Sequence, residues 1–249
     1  MLFRSVDVAY VGHPLIDSIS GTELDQDFLE GIDVPDKNSL IGLLPGSRKQ
    51  EITSFLPSLV ETAKILLERM PDARFLIPCS SAANMETVRE IIGDEKLPVS
   101  LFLGKIHEVA AAARCCIVSS GTATLEVACF LTPLVVVYRT GHLSWLLARR
   151  FITVDHISLV NIIAGKEVVS EMLQYKMRPE LIADEAARLC LDGETRETMV
   201  EELRKVRERL GPPGASARAA EVVLTLIRSG AEELSAPSEL RRSYAGGNG

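Results

Sequence analysis

A chain of 249 residues, 47% apolar and 24% charged, has the composition of a soluble globular protein with room for one large domain or two small ones. A net charge of −7 leaves no basic surplus to neutralise a nucleic-acid backbone, so no nucleic-acid partner is expected, although one local anion site stays open. No stretch reaches the ~18 consecutive apolar residues of a membrane span, and Met1 to Val11 lacks the apolar region of a secretory signal. Aromatics are 5%, so the core must be aliphatic, as in a sheet buried on both faces. Five cysteines without C-x-x-C spacing imply reduced, structural thiols and a cytoplasmic protein.

In chain order, the pattern predicts strands at Val6–Val11 and Ser39–Leu44, then a helix over Glu51–Met70 carrying Phe55, Leu56, Leu59, Ala63, Leu66 and Leu67 at helical spacing. Pro71 closes that helix. Arg74–Pro78, Val99–Leu103, Cys115–Ser119 and Leu134–Tyr138 read as further strands. Helices over Ala82–Ile92, His107–Ala113, Ala123–Phe130 and His142–Phe151 follow them in turn. This alternation predicts an α/β fold, a Rossmann-like parallel sheet flanked by helices. After Gly165 the pattern is helical only, at Pro179–Leu191, Thr195–Leu210 and Ala215–Arg228, and Glu232–Gly249 has the composition of a disordered tail. The expected division is an opening segment over 1–38, the sheet with its C-terminal helices over 39–230, and the tail over 231–249.

Two strand-to-helix junctions carry the chemistry. In Pro45-Gly46-Ser47-Arg48, Gly46 allows close backbone approach, Ser47 can cap the next helix and Arg48 offers a forked cation to a phosphate. In Ser119-Ser120-Gly121-Thr122, two hydroxyls and a glycine head a helix whose dipole favours an anion. Glu126 lies four residues beyond Thr122, on the same helix face and too deep for a capping box, where it could accept from a ribose diol. A plain turn at the first junction and an ordinary cap at the second are the competing readings.

Asn161, in the apolar Leu159–Ile163, must either fix local backbone or meet a ligand. His13, held between Gly12 and Pro14, could donate to a phosphate or a sugar hydroxyl, or be a turn histidine without a role. Asp25-Gln26-Asp27 reads as a solvated charge run, and no metal or cofactor is expected. Trp145–Phe151 could touch a membrane surface, but its shortness favours a helix packed on the sheet.

With these residues in place, the chain resembles the lipid-A-disaccharide synthase family. The resemblance rests on Tyr10–Leu15, Leu43–Arg48 with Glu51, Ser120–Glu126, Pro133–Arg139 and Leu159–Gly165. It continues through Val168–Gln174, where family members often carry Pro in place of Ser170. It implies the C-terminal, donor-binding domain of a GT-B glycosyltransferase with a helical C-terminal tail. Such enzymes transfer 2,3-diacylglucosamine from its UDP donor to 2,3-diacylglucosamine 1-phosphate, giving lipid A disaccharide 1-phosphate and UDP. By the same resemblance Arg48 and Ser47 would meet the diphosphate, with Ser120, Gly121 and Thr122 forming the anion pocket. Glu126 would take the ribose, Asn161 would lie near the phosphates or sugar, and Gln174 near the cleft. The family's N-terminal domain, with its acceptor site and catalytic carboxylate, is expected to be absent, so no catalytic residue is assigned. A homodimer and peripheral contact with the cytoplasmic face of the inner membrane are further expectations. A UDP-N-acetylglucosamine 2-epimerase-like enzyme and a non-catalytic nucleotide-binding half remain as alternatives.

Overall fold

The computed structural model describes residues 9–21, 25–32, 39–139 and 156–235. They fall into two compact units, Thr22–Arg209 and a smaller one formed by Met1–Gly21 with Leu210–Gly249.

The larger unit is built on five apolar runs, β1 (Leu40–Leu44), β2 (Arg74–Cys79), β3 (Val99–Leu103), β4 (Cys115–Ser119) and β5 (Leu134–Tyr138), joined at one edge by a short β6 (Glu171–Leu173). All pairings are parallel, and the strand order is β3-β2-β1-β4-β5-β6. β1 and β4 are buried at every position, as central strands covered on both faces must be. Gly42 lets them lie close: a Cβ there would stand 2.6 Å from the Cys116 thiol. Burial pushes that thiol up to about 12 and Cys129 up to about 11, and all five cysteines are buried and free, in line with structural thiols.

Helices α3 (Lys49–Arg69) and α4 (Ala82–Ile92) carry the chain between the first three strands on one face, where α8 (Pro179–Leu191) joins them. Leu56, Leu59 and Leu66 of α3 are fully buried; each such leucine contributes roughly 1.5–3 kcal/mol of burial. The opposite face holds α5 (Ile106–Ala112) and α6 (Thr122–Cys129), backed by α7 (Leu159–Ala164) and α9 (Gly193–Arg209). The chain therefore changes face between β3 and β4. A short α2 (Gln26–Gly31) sits against α5.

In the smaller unit α1 (Pro14–Ser20) packs on α10 (Ala215–Ser235). Asp17 holds the junction: its carboxylate accepts from the backbone N–H groups of Gly214 (2.5 Å), Ala215 (3.1 Å) and Ser216 (2.9 Å). These bonds, led by Ser216, lower its pKa to about 2. A depressed carboxylate stabilises above its ordinary value of 3.8 and loses that contribution as pH falls toward about 2. Asp17→Ala is accordingly expected to speed amide exchange in the first turns of α10 at neutral pH. The difference from the parent should shrink as pH approaches 2, and a difference unchanged across that range would refute the cap.

The structure corrects the expected element list in several places. Residues 9–11 are not strand, and 6–8 lie outside the described residues. The stretch after Gly165 is not helical only, because β6 and a 3-10 turn at Gln174–Lys176 precede α8. Leu159–Ala164 is a helix, started by the Ser158 hydroxyl accepting from the Val160 N–H at 3.2 Å. α10 continues to Ser235, into the expected tail, whose residues 236–249 lie outside the described ones, as does the whole of 140–155 with Trp145–Phe151.

Candidate functional site

A cleft of about 600 Å³ opens at the carboxyl ends of the strands, where β1 and β4 lie side by side. Its walls come from four successive junctions. These are Leu44 and Gly46–Arg48 with Glu51 after β1, Pro78–Ser80 after β2, Gly104 and Ile106 after β3, and Ser119–Ala123 with Glu126 after β4.

The β4 wall is the anion-receptive one. Among the described residues no side chain caps α6, so its first N–H groups face the cleft with the positive end of the helix dipole. Gly121 has an extended φ of 163°, which any residue can adopt, and a Cβ there would meet nothing within 4 Å. Its missing side chain thus leaves room in the cleft rather than relieving strain. The Ser120 hydroxyl donates to the Ile157 carbonyl at 3.5 Å, tying this wall to the start of α7. Glu126, one turn into α6, faces the cleft with its carboxylate, and His107 Nε2 stands 3.5 Å from it.

The β1 wall differs from its expected chemistry. Ser47 does not cap α3. The Glu51 carboxylate does so, accepting from the backbone N–H groups of Ser47 (3.0 Å) and Arg48 (3.2 Å) and from the Arg48 guanidinium (2.8 Å). Gly46, at φ +117°, makes room for this carboxylate, because a Cβ would collide with Glu51 Oε2. The Ser47 carbonyl accepts from Asn84 Nδ2 (2.7 Å) and Ser80 Oγ (3.2 Å), pinning the turn to α4. Arg48 remains 81% exposed on the cleft rim, with one of its nitrogens on Glu51.

The β3 wall turns on two consecutive left-handed residues, Gly104 (φ +70°) and Lys105 (φ +61°). The Lys105 ammonium donates to Asp25 (2.7 Å) and Glu108 (3.2 Å), and these acceptors raise its pKa. Asp25 also caps α2 by accepting from the Phe28 N–H at 2.9 Å, so this acid is not part of a merely solvated run.

Of the residues singled out in the sequence, Ser47, Arg48, Ser120, Gly121, Thr122 and Glu126 come together in the cleft. Asn161 does not. It is fully buried, and its amide makes four hydrogen bonds: Nδ2 donates to the Val169 carbonyl (2.8 Å) and Glu171 (2.9 Å), while Oδ1 accepts from the N–H groups of Val168 (2.7 Å) and Val169 (2.9 Å). With every donor and acceptor engaged, its side chain clamps α7 to β6 and stands apart from the residues that line the cleft. Gln174 follows the carboxyl end of β6, buried at φ +50°, and is not among the cleft's lining residues. His13 belongs to the smaller unit, where its Nδ1 accepts from the Leu15 N–H at 3.1 Å and starts α1.

His107 and the walls after β2 and β3 were missed, and Glu51, part of the family motif, was given no role. Extending the strand-end reasoning to Pro78–Ser80 and Gly104 would have found the walls, and Glu51 stands at the capping-box spacing from Arg48.

A parallel 3-2-1-4-5-6 sheet with its crevice between β1 and β4 defines a doubly wound, Rossmann-like α/β domain with a ligand crevice at its switch point. The structure of CalG4, the calicheamicin glycosyltransferase, superposes with a TM-score of 0.51 at 20% identity, covering 79% of this chain and 45% of that one. The UDP-GlcNAc 2-epimerase of Neisseria meningitidis, bound to UDP-GlcNAc, gives 0.59 at 16% identity, covering 90% and 58%. Identities this low show the fold alone.

The chain belongs to the lipid-A-disaccharide synthetase family, whose profile matches residues 2–224. It is 41% identical over 224 residues to the lipid-A-disaccharide synthase of Syntrophus aciditrophicus and 37% identical over 231 residues to that of Persephonella marina. These matches cover 90% of this chain but 58% and 60% of the relatives, so the chain spans under two thirds of their length.

Proposed function

We propose that the cleft binds the UDP moiety of a UDP-2,3-diacylglucosamine donor, and that this domain is the donor-binding part of a lipid-A-disaccharide synthase. Family membership supports the reading, and the observation that carries it is the uncapped start of α6 with Glu126 one turn deeper in the same cleft. The diphosphate would lie on the N–H groups of Gly121–Ala123, with Ser120 and Thr122 hydroxyls beside it and Arg48 reaching from the opposite rim. Glu126 would accept from the ribose hydroxyls. As the sugar is transferred to 2,3-diacylglucosamine 1-phosphate, negative charge grows on the departing diphosphate, where a helix N-terminus and a guanidinium are already aimed. The exposed Val223, Leu226 and Ile227 on α10 support a homodimer or a lipid-facing surface as the finer part of this reading.

Isothermal titration calorimetry tests the donor site directly. UDP is expected to bind the folded chain with a Kd between about 1 μM and 1 mM, the usual span for enzyme substrates. Folded protein that releases no heat with UDP would end the proposal.

A further inference from the structure

Glu126 stands on a flexible stem, and a carboxylate that must accept from two ribose hydroxyls at once needs a fixed orientation. Among the described residues its one polar side-chain partner is His107, whose Nε2 is 3.5 Å from Oε2, with both side chains largely buried at 16% and 20% exposure. The imidazole is itself held. It projects from the first turn of α5 and its ring lies against Phe130, centroids 5.4 Å apart at 40°. Ile106 and Glu126 line the cleft and His107 does not, so the histidine stands behind the acid.

We propose that His107 is a positioning residue that orients the Glu126 carboxylate, and through it sets the preference of the cleft for ribose over 2-deoxyribose nucleotides. This rests on Glu126 as the acceptor of the ribose hydroxyls. At this separation the pair stops short of a formed hydrogen bond, and a small rotation of the carboxylate would bring Oε2 onto an Nε2–H and leave Oε1 for the diol. Without that donor the acid rotates among its side-chain wells and meets a diol only part of the time.

The test compares UDP and 2′-deoxy-UDP by calorimetry on the full chain, its His107→Phe and His107→Gln variants, and Glu126→Gln. The parent should favour UDP about tenfold, the size of one well-made hydrogen bond. His107→Phe keeps a ring against Phe130 and removes the donor. It should reduce the preference to about twofold by weakening UDP more than 2′-deoxy-UDP, which keeps only the 3′ hydroxyl, as should Glu126→Gln. His107→Gln, whose amide nitrogen can reach the place of Nε2, should keep most of the preference. Should Phe not fold at this position, His107→Asn, too short to reach Glu126, applies the same test. A preference that survives loss of the donor, an equal weakening of both nucleotides, or a Gln variant no better than Phe would overturn the proposal. If the parent itself binds no UDP, or binds both nucleotides alike, the assignment of Glu126 falls first and this inference with it.

Discussion

Asn161→Leu should lower the unfolding free energy by about 3–5 kcal/mol, measured by urea denaturation followed by circular dichroism. The side chain is similar in size, so the loss comes from hydrogen bonding rather than from a cavity. Four bonds vanish together, leaving the N–H groups of Val168 and Val169, the Val169 carbonyl and one side of the Glu171 carboxylate without their partner. Buried polar groups stranded in this way cost about 1–3 kcal/mol each, with some relief as the site relaxes. Glu171 spreads the damage, because the same carboxylate accepts from the N–H groups of Ile157 (3.0 Å) and Ser158 (2.9 Å) at the start of α7. Under conditions where the variant stays folded, its UDP affinity should remain within about threefold of the parent, since no Asn161 atom lines the cleft. A stable variant that lost UDP binding would return Asn161 to the ligand and refute the clamp.

The second large effect belongs to the rim. Arg48→Ala should weaken UDP binding by about 1.5–3 kcal/mol, roughly ten- to a hundredfold, through loss of a charge-assisted contact to the diphosphate. Uridine, which carries no phosphate, should bind nearly as before, and the variant's UDP affinity should depend less on salt. The melting temperature should hardly move, because the guanidinium is exposed and its ion pair with Glu51 is solvent-screened. Glu51→Gln probes the same wall from the other side. The carboxylate holds the Arg48 guanidinium and adds negative charge to the cleft, so its neutralisation should tighten UDP several-fold while costing about 1 kcal/mol of helix capping. Equal losses of UDP and uridine in Arg48→Ala would place the arginine elsewhere than at the diphosphate.

The central strands were readable in the sequence because a strand buried on both faces is an unbroken apolar run with a turn residue at its end. Cys115–Ser119 and Leu134–Tyr138 meet that description to the residue. β6 escaped notice since its three residues are half-buried at an edge, and its glutamate serves backbone N–H groups rather than a hydrophobic face. α7 was hidden because Leu-Val-Asn-Ile-Ile-Ala has no helical period short of its tertiary partners. The six cleft residues at the two junctions were legible from the strand-end rule and the dipole of the following helix. The demand of Asn161 for partners was legible too. That those partners lie seven to ten residues onward, on β6 and the loop leading into it, is a matter of packing. At α3 either a serine cap or a reach-back glutamate can close the first turn, and local pattern does not decide between them.

The position of the crevice follows from β1 having β2 on one side and β4 on the other. Winding direction reverses there, so the helices leave the sheet on opposite faces and cannot close over the gap. The gap is set by strand order alone, whichever residues occupy the junctions. The place where a ligand enters is thus inherited with the strand order, whereas the chemistry met there comes from the junction residues, here Glu126, Arg48 and Glu51. Descendants of one such scaffold can exchange chemistries by rewriting loops while leaving the address untouched, which is how folds can be shared at identities as low as 16%.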